Sequence, residues 1–222
     1  MTSFTESIFL DLLNNNKEEA IDYFCKYDTI NINSYYINKL LKNNKFAKHC
    51  IDNENIIFLY SYIDYAKIHS ICKLSTPEMI KYIIDKGVDL EVETDEKWRP
   101  IHFICRYSTP EMIKYIIDKG INLEVKDYRG ARPIHLICEY STPEMIKYII
   151  DKGVNLEAEI GGSWRPIHLI CQYSTPEIIK YIIDKGVNLN CISDAHYKPL
   201  DCLYENPQAT PEIIRYMINK MA

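Results

Sequence analysis

Four stretches of this chain repeat one another at a spacing of 33 residues. His69, His102, His135 and His168 share one phase, Cys72, Cys105, Cys138 and Cys171 a second, and Gly87, Gly120, Gly153 and Gly186 a third. A fixed period of this length constrains the fold more than any other property of the sequence. Each copy must adopt the same local structure and offer the same surfaces to its neighbours. One such unit has too few apolar side chains to offset the ordering of its own backbone, so the copies must stack and share a core. With 47% hydrophobic and 26% charged residues, the chain has the material for that core.

Two helices are predicted within each copy. The first is short and begins at Pro100, a residue suited to the first helical position. The second is signalled by Ser108, Thr109, Pro110 and Glu111, which offer a hydroxyl cap, a proline in the first turn and an acid where the helix dipole favours one. Met112, Ile113, Tyr115, Ile116 and Ile117 then fall on one helical face. Gly120 predicts a left-handed residue that closes the helix, so backbone geometry explains four of the seven glycines without a ligand. Residues 121–123 read as a short extended segment, and a polar turn leads to the next Arg-Pro.

This unit resembles the ankyrin repeat, whose period and Thr-Pro-Leu-His signature it shares in altered form. The signature stands here as Arg99-Pro100-Ile101-His102, Arg132-Pro133-Ile134-His135 and Arg165-Pro166-Ile167-His168, and Asp127-Tyr128-Arg129-Gly130 resembles the family's Asp-x-x-Gly finger turn. The resemblance implies an all-α ankyrin-repeat solenoid of helix–turn–helix units with short β-turn or hairpin fingers. Four full repeats are expected over 66–98, 99–131, 132–164 and 165–197, with a capping repeat over 198–222. Residues 1–65 are read as two degenerate repeats, 1–33 and 34–65. Their competing reading is an independent helical module. Phe46 lies 33 residues before Met79, and residues 16–25 read as a second helix followed by a segment at 30–33.

Two departures from the family pattern stand out. Arg99, Arg132, Arg165 and Lys198 replace the threonine, which removes a hydroxyl cap and puts a cation at an unfavourable helix end. That leaves the geometry of the first helix open. The fingers at 94–97, 160–163 and 193–196 lack Asp-x-x-Gly, which leaves their turns open too.

Several function classes are disfavoured. A net charge of −5 argues against a general nucleic-acid binder. No apolar run is long enough to span a membrane, and residues 1–16 carry Glu6 and Asp11 without the basic start of a signal peptide. Equivalent cysteines on stacked helices lie about 10 Å apart, beyond disulfide reach, so a reducing, cytoplasmic location is expected. The His-x-x-Cys pairs offer two ligands each where zinc needs four converging ones. In the family resembled, this histidine is structural, and the cysteine replaces a small core residue. Every copy has the pair and none adds a distinguishing third residue, so cysteine–histidine catalysis is not expected either. No catalytic residue, metal ligand or cofactor is assigned, and the chain is not read as an enzyme.

Recognition by a surface remains. Positions that stay fixed between copies serve the scaffold, and those that change are free to face a partner. The changing positions are the finger tips, with Tyr128 and Arg129, and the end of the first helix, with Arg106 and Tyr107, Glu139 and Tyr140, Gln172 and Tyr173. The residue before each Arg-Pro or Lys-Pro also changes, from Trp98 through Ala131 and Trp164 to Tyr197. The resemblance places these phases along a concave groove, and tyrosine and tryptophan are favoured anchors at interfaces. The alternative is that the tyrosines pack between repeats and the tryptophans fold back over the next helix. Arg99, Arg132, Arg165 and Lys198 either pair with Glu91, Glu124 and Glu157 or form a basic stripe for an acidic partner. The expected partner is another protein, bound by a monomer. The competing reading is a structural or self-associating repeat protein. The Ile-, Asn-, Lys- and Tyr-rich style is similar to ankyrin proteins of giant amoebal DNA viruses, which implies a partner from a host cell and a site of action in host cytoplasm.

Overall fold

The computed structural model describes residue 11 and residues 17–26, 43–52 and 67–221. Their helices are α1 (Lys17–Lys26), α2 (Asn44–Asp52), α3 (Lys67–Leu74), α4 (Pro77–Asp85), α5 (Pro100–Tyr107), α6 (Pro110–Asp118), α7 (Pro133–Tyr140), α8 (Pro143–Asp151), α9 (Pro166–Tyr173), α10 (Pro176–Asp184), α11 (Pro199–Glu205) and α12 (Pro211–Met221). Among the described residues, β pairing is confined to an isolated antiparallel bridge between Ile160 and Trp164. The chain divides into two units, Met1–Asp95 and Glu96–Ala222.

In the first unit α1 packs on α2, α2 on α4, and α3 on α4. Ala20, Ile21 and Phe46 are buried there, as is Met79, which follows Phe46 at the repeat spacing. The Tyr82 hydroxyl donates to Asp52 Oδ1 at 2.7 Å, and Thr76 Oγ1 to Asn44 Oδ1 at 2.7 Å, so α4 is tied to α2 by polar bonds as well as by packing. The segment expected at 30–33 lies outside the described residues.

In the second unit the helices form two columns. The first helices α5, α7, α9 and α11 pack in sequence, as do the second helices α6, α8, α10 and α12. Ile101, Ile104, Ile134, Ile137, Ile167 and Ile170 of the first column meet Ile113, Ile116, Ile146, Ile149, Ile179 and Ile182 of the second in one buried core. Tyr115, expected on the apolar face of α6, is only half-buried, and its counterparts Tyr148 and Tyr181 are too. The four aliphatic positions of that face suffice for the core, and the tyrosines reach sideways instead.

Helix entry explains why arginine is tolerated where the family has threonine. The backbone N–H of Arg99 donates to His102 Nδ1 at 2.9 Å, and those of Arg132 and Arg165 to His135 and His168 Nδ1 at 3.0 Å each. The histidine in the first turn thus supplies the acceptor that closes the entry, the role usually taken by a glutamate. Asp201 does the same for Lys198 at 2.8 Å. With Nδ1 accepting, the ring is a neutral Nε2–H tautomer, and His135 Nε2 donates to the Ala158 carbonyl at 3.0 Å. One buried imidazole therefore ties the start of the first helix to the start of the finger 23 residues later. Burial holds His135 neutral and pushes its pKa down to about 4; burial lowers His102 and His168 in the same sense.

The second helices end as expected: Gly120, Gly153 and Gly186 have φ of 81°, 79° and 80°. The segment after them is not extended. Asn122, Asn155 and Asn188 each turn the chain by accepting a backbone N–H two residues on, at 2.9 Å, as asparagine does in Asx turns.

The fingers share one turn despite their different sequences. Gly130 has φ of 82°, and Lys97, Ser163 and His196 at the same phase also take positive φ, 57°, 58° and 64°. Each of the turns around Gly130, Ser163 and His196 is closed by a backbone bond, Asp127 N–H to Ala131 at 2.9 Å, Ile160 to Trp164 at 2.8 Å and Ser193 to Tyr197 at 2.9 Å. A side chain at positive φ costs on the order of 1–2 kcal/mol, so the stack imposes this turn against local preference.

At the end of α11, buried Asn206 donates to the carbonyls of Cys171 and Ser174 at 2.8 Å each. It thereby satisfies the exit of α9 where the sequence departs from the repeat.

Candidate binding face

The exposed side of α5, α7 and α9 is built by leaving out apolar contacts at the end of each helix. Proline, isoleucine, histidine and cysteine fill the buried phases, and the last two residues of each helix are left at the surface. Tyr107, Tyr140 and Tyr173 are 46%, 45% and 50% exposed, a ladder of large rings in contact with solvent. Burial nudges the phenols of Tyr140 and Tyr173 up, and the Glu139 carboxylate adds to the effect at Tyr140.

Arg106 organises one end of this face. Its guanidinium stands over the rings of Tyr140, Tyr107 and Trp98 at 4.7, 5.4 and 5.8 Å from their centroids. Three such contacts hold the cation among the rings. Glu139, one helix further along, is exposed, and Gln172 beyond it is half-exposed.

The tryptophans are tucked in. Trp98 is half-buried, meets Phe103 edge-on at 5.0 Å and His102 at 5.7 Å, and donates from Nε1 to Asp127 Oδ2 at 3.1 Å. Trp164 packs on His168 at 5.4 Å and on Tyr197 at 6.1 Å. Both rings shield the histidine that closes the helix entry beneath them. Ala131 occupies the same phase between them and is buried. Tyr128 stands out at the finger tip, 62% exposed, with its N–H bonded to the Glu96 carbonyl at 2.9 Å, and Arg129 beside it is exposed.

Sequence reasoning passed over two members of this assembly. Phe103 is the shelf on which Trp98 rests and stacks on Tyr107 at 6.4 Å; its signal was Phe in place of the Leu of α7 and α9. Asp127 was read only as a turn residue, although it is also the acceptor for Trp98.

The basic ladder takes the internal pairing where it is seen. Arg132 Nη1 meets Glu124 Oε2 at 2.7 Å, and Arg165 Nη1 meets Glu157 Oε2 at 2.6 Å, with Glu159 as a second partner at 2.8 Å. The other oxygen of each glutamate accepts a backbone N–H of the following repeat, Asn155 on Glu124 at 3.2 Å and Asn188 on Glu157 at 2.9 Å. Lys198 is exposed.

The histidines and cysteines are held as core. Cys72, Cys105, Cys138, Cys171, Cys191 and Cys202 are free and buried. Desolvation pushes their thiols up, that of Cys202 to about 12, which keeps them protonated and poorly nucleophilic. Among the described residues no group of three or more His, Cys, Asp or Glu is arranged to hold a metal ion. The clefts between the second helices, at Pro110–Tyr148 and Pro176–Tyr216, are lined by Glu, Lys, Thr, Pro and Tyr with Met145 or Ile213.

Stacked helix pairs, a histidine closing each first helix and a finger after each second one define a helical repeat protein whose variable surface lies on the first helices and fingers. More narrowly, the chain belongs to the ankyrin-repeat family. A family model of three ankyrin repeats matches residues 68–160, a second for a single ankyrin repeat matches 163–191, and together they span more than half of the chain. No curated protein matches it. Ankyrin repeats generally mediate protein–protein interaction, and ankyrin-repeat proteins are typically non-catalytic scaffolds. Among the described residues no helix is long and apolar enough to cross a membrane.

Proposed function

We propose that this protein is a non-catalytic binding module that holds a partner protein in the groove formed by α5, α7, α9 and the adjoining fingers. The observation that carries this reading is the ladder of half-exposed Tyr107, Tyr140 and Tyr173 on helices whose remaining apolar residues are buried. The rings stand at the phase beside which Arg106, Glu139 and Gln172 change from copy to copy, while the scaffold around them is constant. Trp98, Trp164 and Tyr197 flank the groove, and Tyr128 and Arg129 extend it at a finger tip. The chain acts as a monomer built of degenerate repeats over 1–65, full repeats over 66–98, 99–131, 132–164 and 165–197, and a cap over 198–222. The tie of Tyr82 to Asp52 supports the repeat reading of 34–65, since Tyr148 is tied to Asp118 at the same spacing. The amino-acid style favours a viral protein acting on a host protein in the cytoplasm.

The test is affinity capture from a eukaryotic cytosolic extract, comparing wild type with a Tyr107→Ser/Tyr140→Ser/Tyr173→Ser variant of matched melting temperature. A partner lost only in the variant supports the groove. A partner kept by both moves binding to another surface. No capture, together with a size in solution that grows with concentration, favours a self-associating structural protein instead.

A further inference from the structure

Three features of α5, α7 and α9 bear on what shape and charge of segment the groove takes. The first is spacing. Tyr107, Tyr140 and Tyr173 occupy one phase of consecutive packed helices, and packed helices lie about 8–10 Å apart. A ligand backbone that meets each ring in the same way must repeat at that distance. A β-strand presents the same face at roughly 6.6 Å or twice that. Two turns of an α-helix advance about 10.8 Å, which overshoots further at the third ring. A polyproline-II helix has three residues per turn and a rise of ~3.1 Å, so the same face returns after about 9 Å.

The second feature is chemistry. Half-exposed aromatic rings side by side are the surface on which polyproline-II segments dock, because such a segment is already ordered before it binds. The third is charge. The residue preceding each tyrosine is a cation, an anion and a neutral amide in turn, Arg106, Glu139 and Gln172. Neither Arg106 nor Glu139 enters a salt bridge among the described residues. Arg106 is held among the rings of Trp98, Tyr107 and Tyr140, and cation–π contacts leave a guanidinium's charge and N–H donors open to a carboxylate.

We propose that the groove takes a polyproline-II segment of the partner protein, with an acidic side chain over Arg106 and a basic one, three residues away, over Glu139. This rests on the groove reading above and adds the partner's backbone form and charge spacing. A polyproline-II helix offers much the same surface from either end, so spacing and sign, not chain direction, are its signature.

The experiment is fluorescence anisotropy with labelled synthetic peptides on a proline background. One carries Glu and Lys three residues apart, one Glu and Lys two residues apart, one two Glu and one two Lys, each three apart. Wild type is expected to bind the first at least tenfold more tightly than the second. Arg106→Glu shifts the preference to the two-Lys peptide, and Glu139→Arg shifts it to the two-Glu peptide, each variant assayed well below its own melting temperature. Binding indifferent to spacing, preferences unmoved by the two variants, or no saturable binding overturns the proposal. If the peptides fail while a captured protein still needs the three tyrosines, the polyproline-II inference falls and the groove stands; if the tyrosines prove irrelevant to capture as well, both fall.

Discussion

The two columns of helices carry tyrosines at a fixed phase and use them in opposite ways. On the second helices, Tyr148, Tyr181 and Tyr216 donate their hydroxyls to Asp118, Asp151 and Asp184 of the preceding repeat. Each ring is also flanked by two lysines, Lys114 and Lys152 for Tyr148, Lys147 and Lys185 for Tyr181, Lys180 and Lys220 for Tyr216. Those bonds lower the carboxylate pKa values, first through Lys152 at Asp118 and through the tyrosines at Asp151 and Asp184. On the first helices, Tyr107, Tyr140 and Tyr173 stand half in solvent beside residues that change sign from copy to copy. The same side chain is a fastener where its neighbours are constant and a contact surface where they vary. Invariance within one chain therefore reports which face holds the stack together.

The largest expected effect lies beneath both faces. His135→Ala removes the acceptor for Arg132 N–H and the donor for the Ala158 carbonyl and leaves a void, and it should cost about 2–5 kcal/mol of stability in denaturant unfolding. A cost under about 0.5 kcal/mol, the size expected of a surface change, would break the view that one core supports both columns. Acid attacks the same residue. The folded-state pKa of His135 lies below its unfolded value, so its contribution is complete above pH 6.5 and is lost as pH falls toward 4. The loss between pH 7 and pH 5 is about 2 kcal/mol for this residue, and His102 and His168 add to it in the same direction. Urea midpoints measured across that range check the sign.

A smaller effect separates the columns directly. Tyr181→Phe, which removes the bond to Asp151, should lower the melting temperature by about 1–3 °C, whereas Tyr173→Phe should change it by less than about 1 °C. Equal shifts would erase the distinction drawn between the faces. The smallest change is expected in a finger. Lys97→Gly relieves the positive φ at that turn and should stabilise the protein by about 0.5 kcal/mol, after the greater freedom of glycine in the unfolded chain is offset.

Helix boundaries and caps were legible because proline, threonine and glycine act locally: Pro110 opens α6, Thr109 accepts from Met112 at 3.3 Å, and Gly120 closes the turn. The finger turns were not, because Lys97, Ser163 and His196 take a conformation that their own preferences oppose and the stack enforces. Helix entry at Arg99 was left open for a related reason. The pattern shows a missing hydroxyl but not that His102 supplies the acceptor from inside the helix. At the binding face, the resemblance put the tyrosines along a groove while packing between repeats stayed open as the alternative, and the seat of Trp98 depends on Phe103 and on Asp127 from the next finger, a pairing that no local rule reveals.

The glutamate that bridges Arg132 and Asn155 has a meaning for how such a chain lengthens. Glu124 and Asp118 face forward, toward groups the next unit always brings, its Asn155 N–H and its Tyr148 hydroxyl; Glu157 and Asp151 do the same for Asn188 and Tyr181. The units 99–131 and 132–164 thus carry the same forward-facing pair, cut to one pattern. Between these units, a segment of 33 residues copied or excised in register re-forms the same pairs at the new junction, while a cut of another length breaks the pairs at that junction. The near-verbatim agreement of 99–120 with 132–153 is what such a lineage leaves behind.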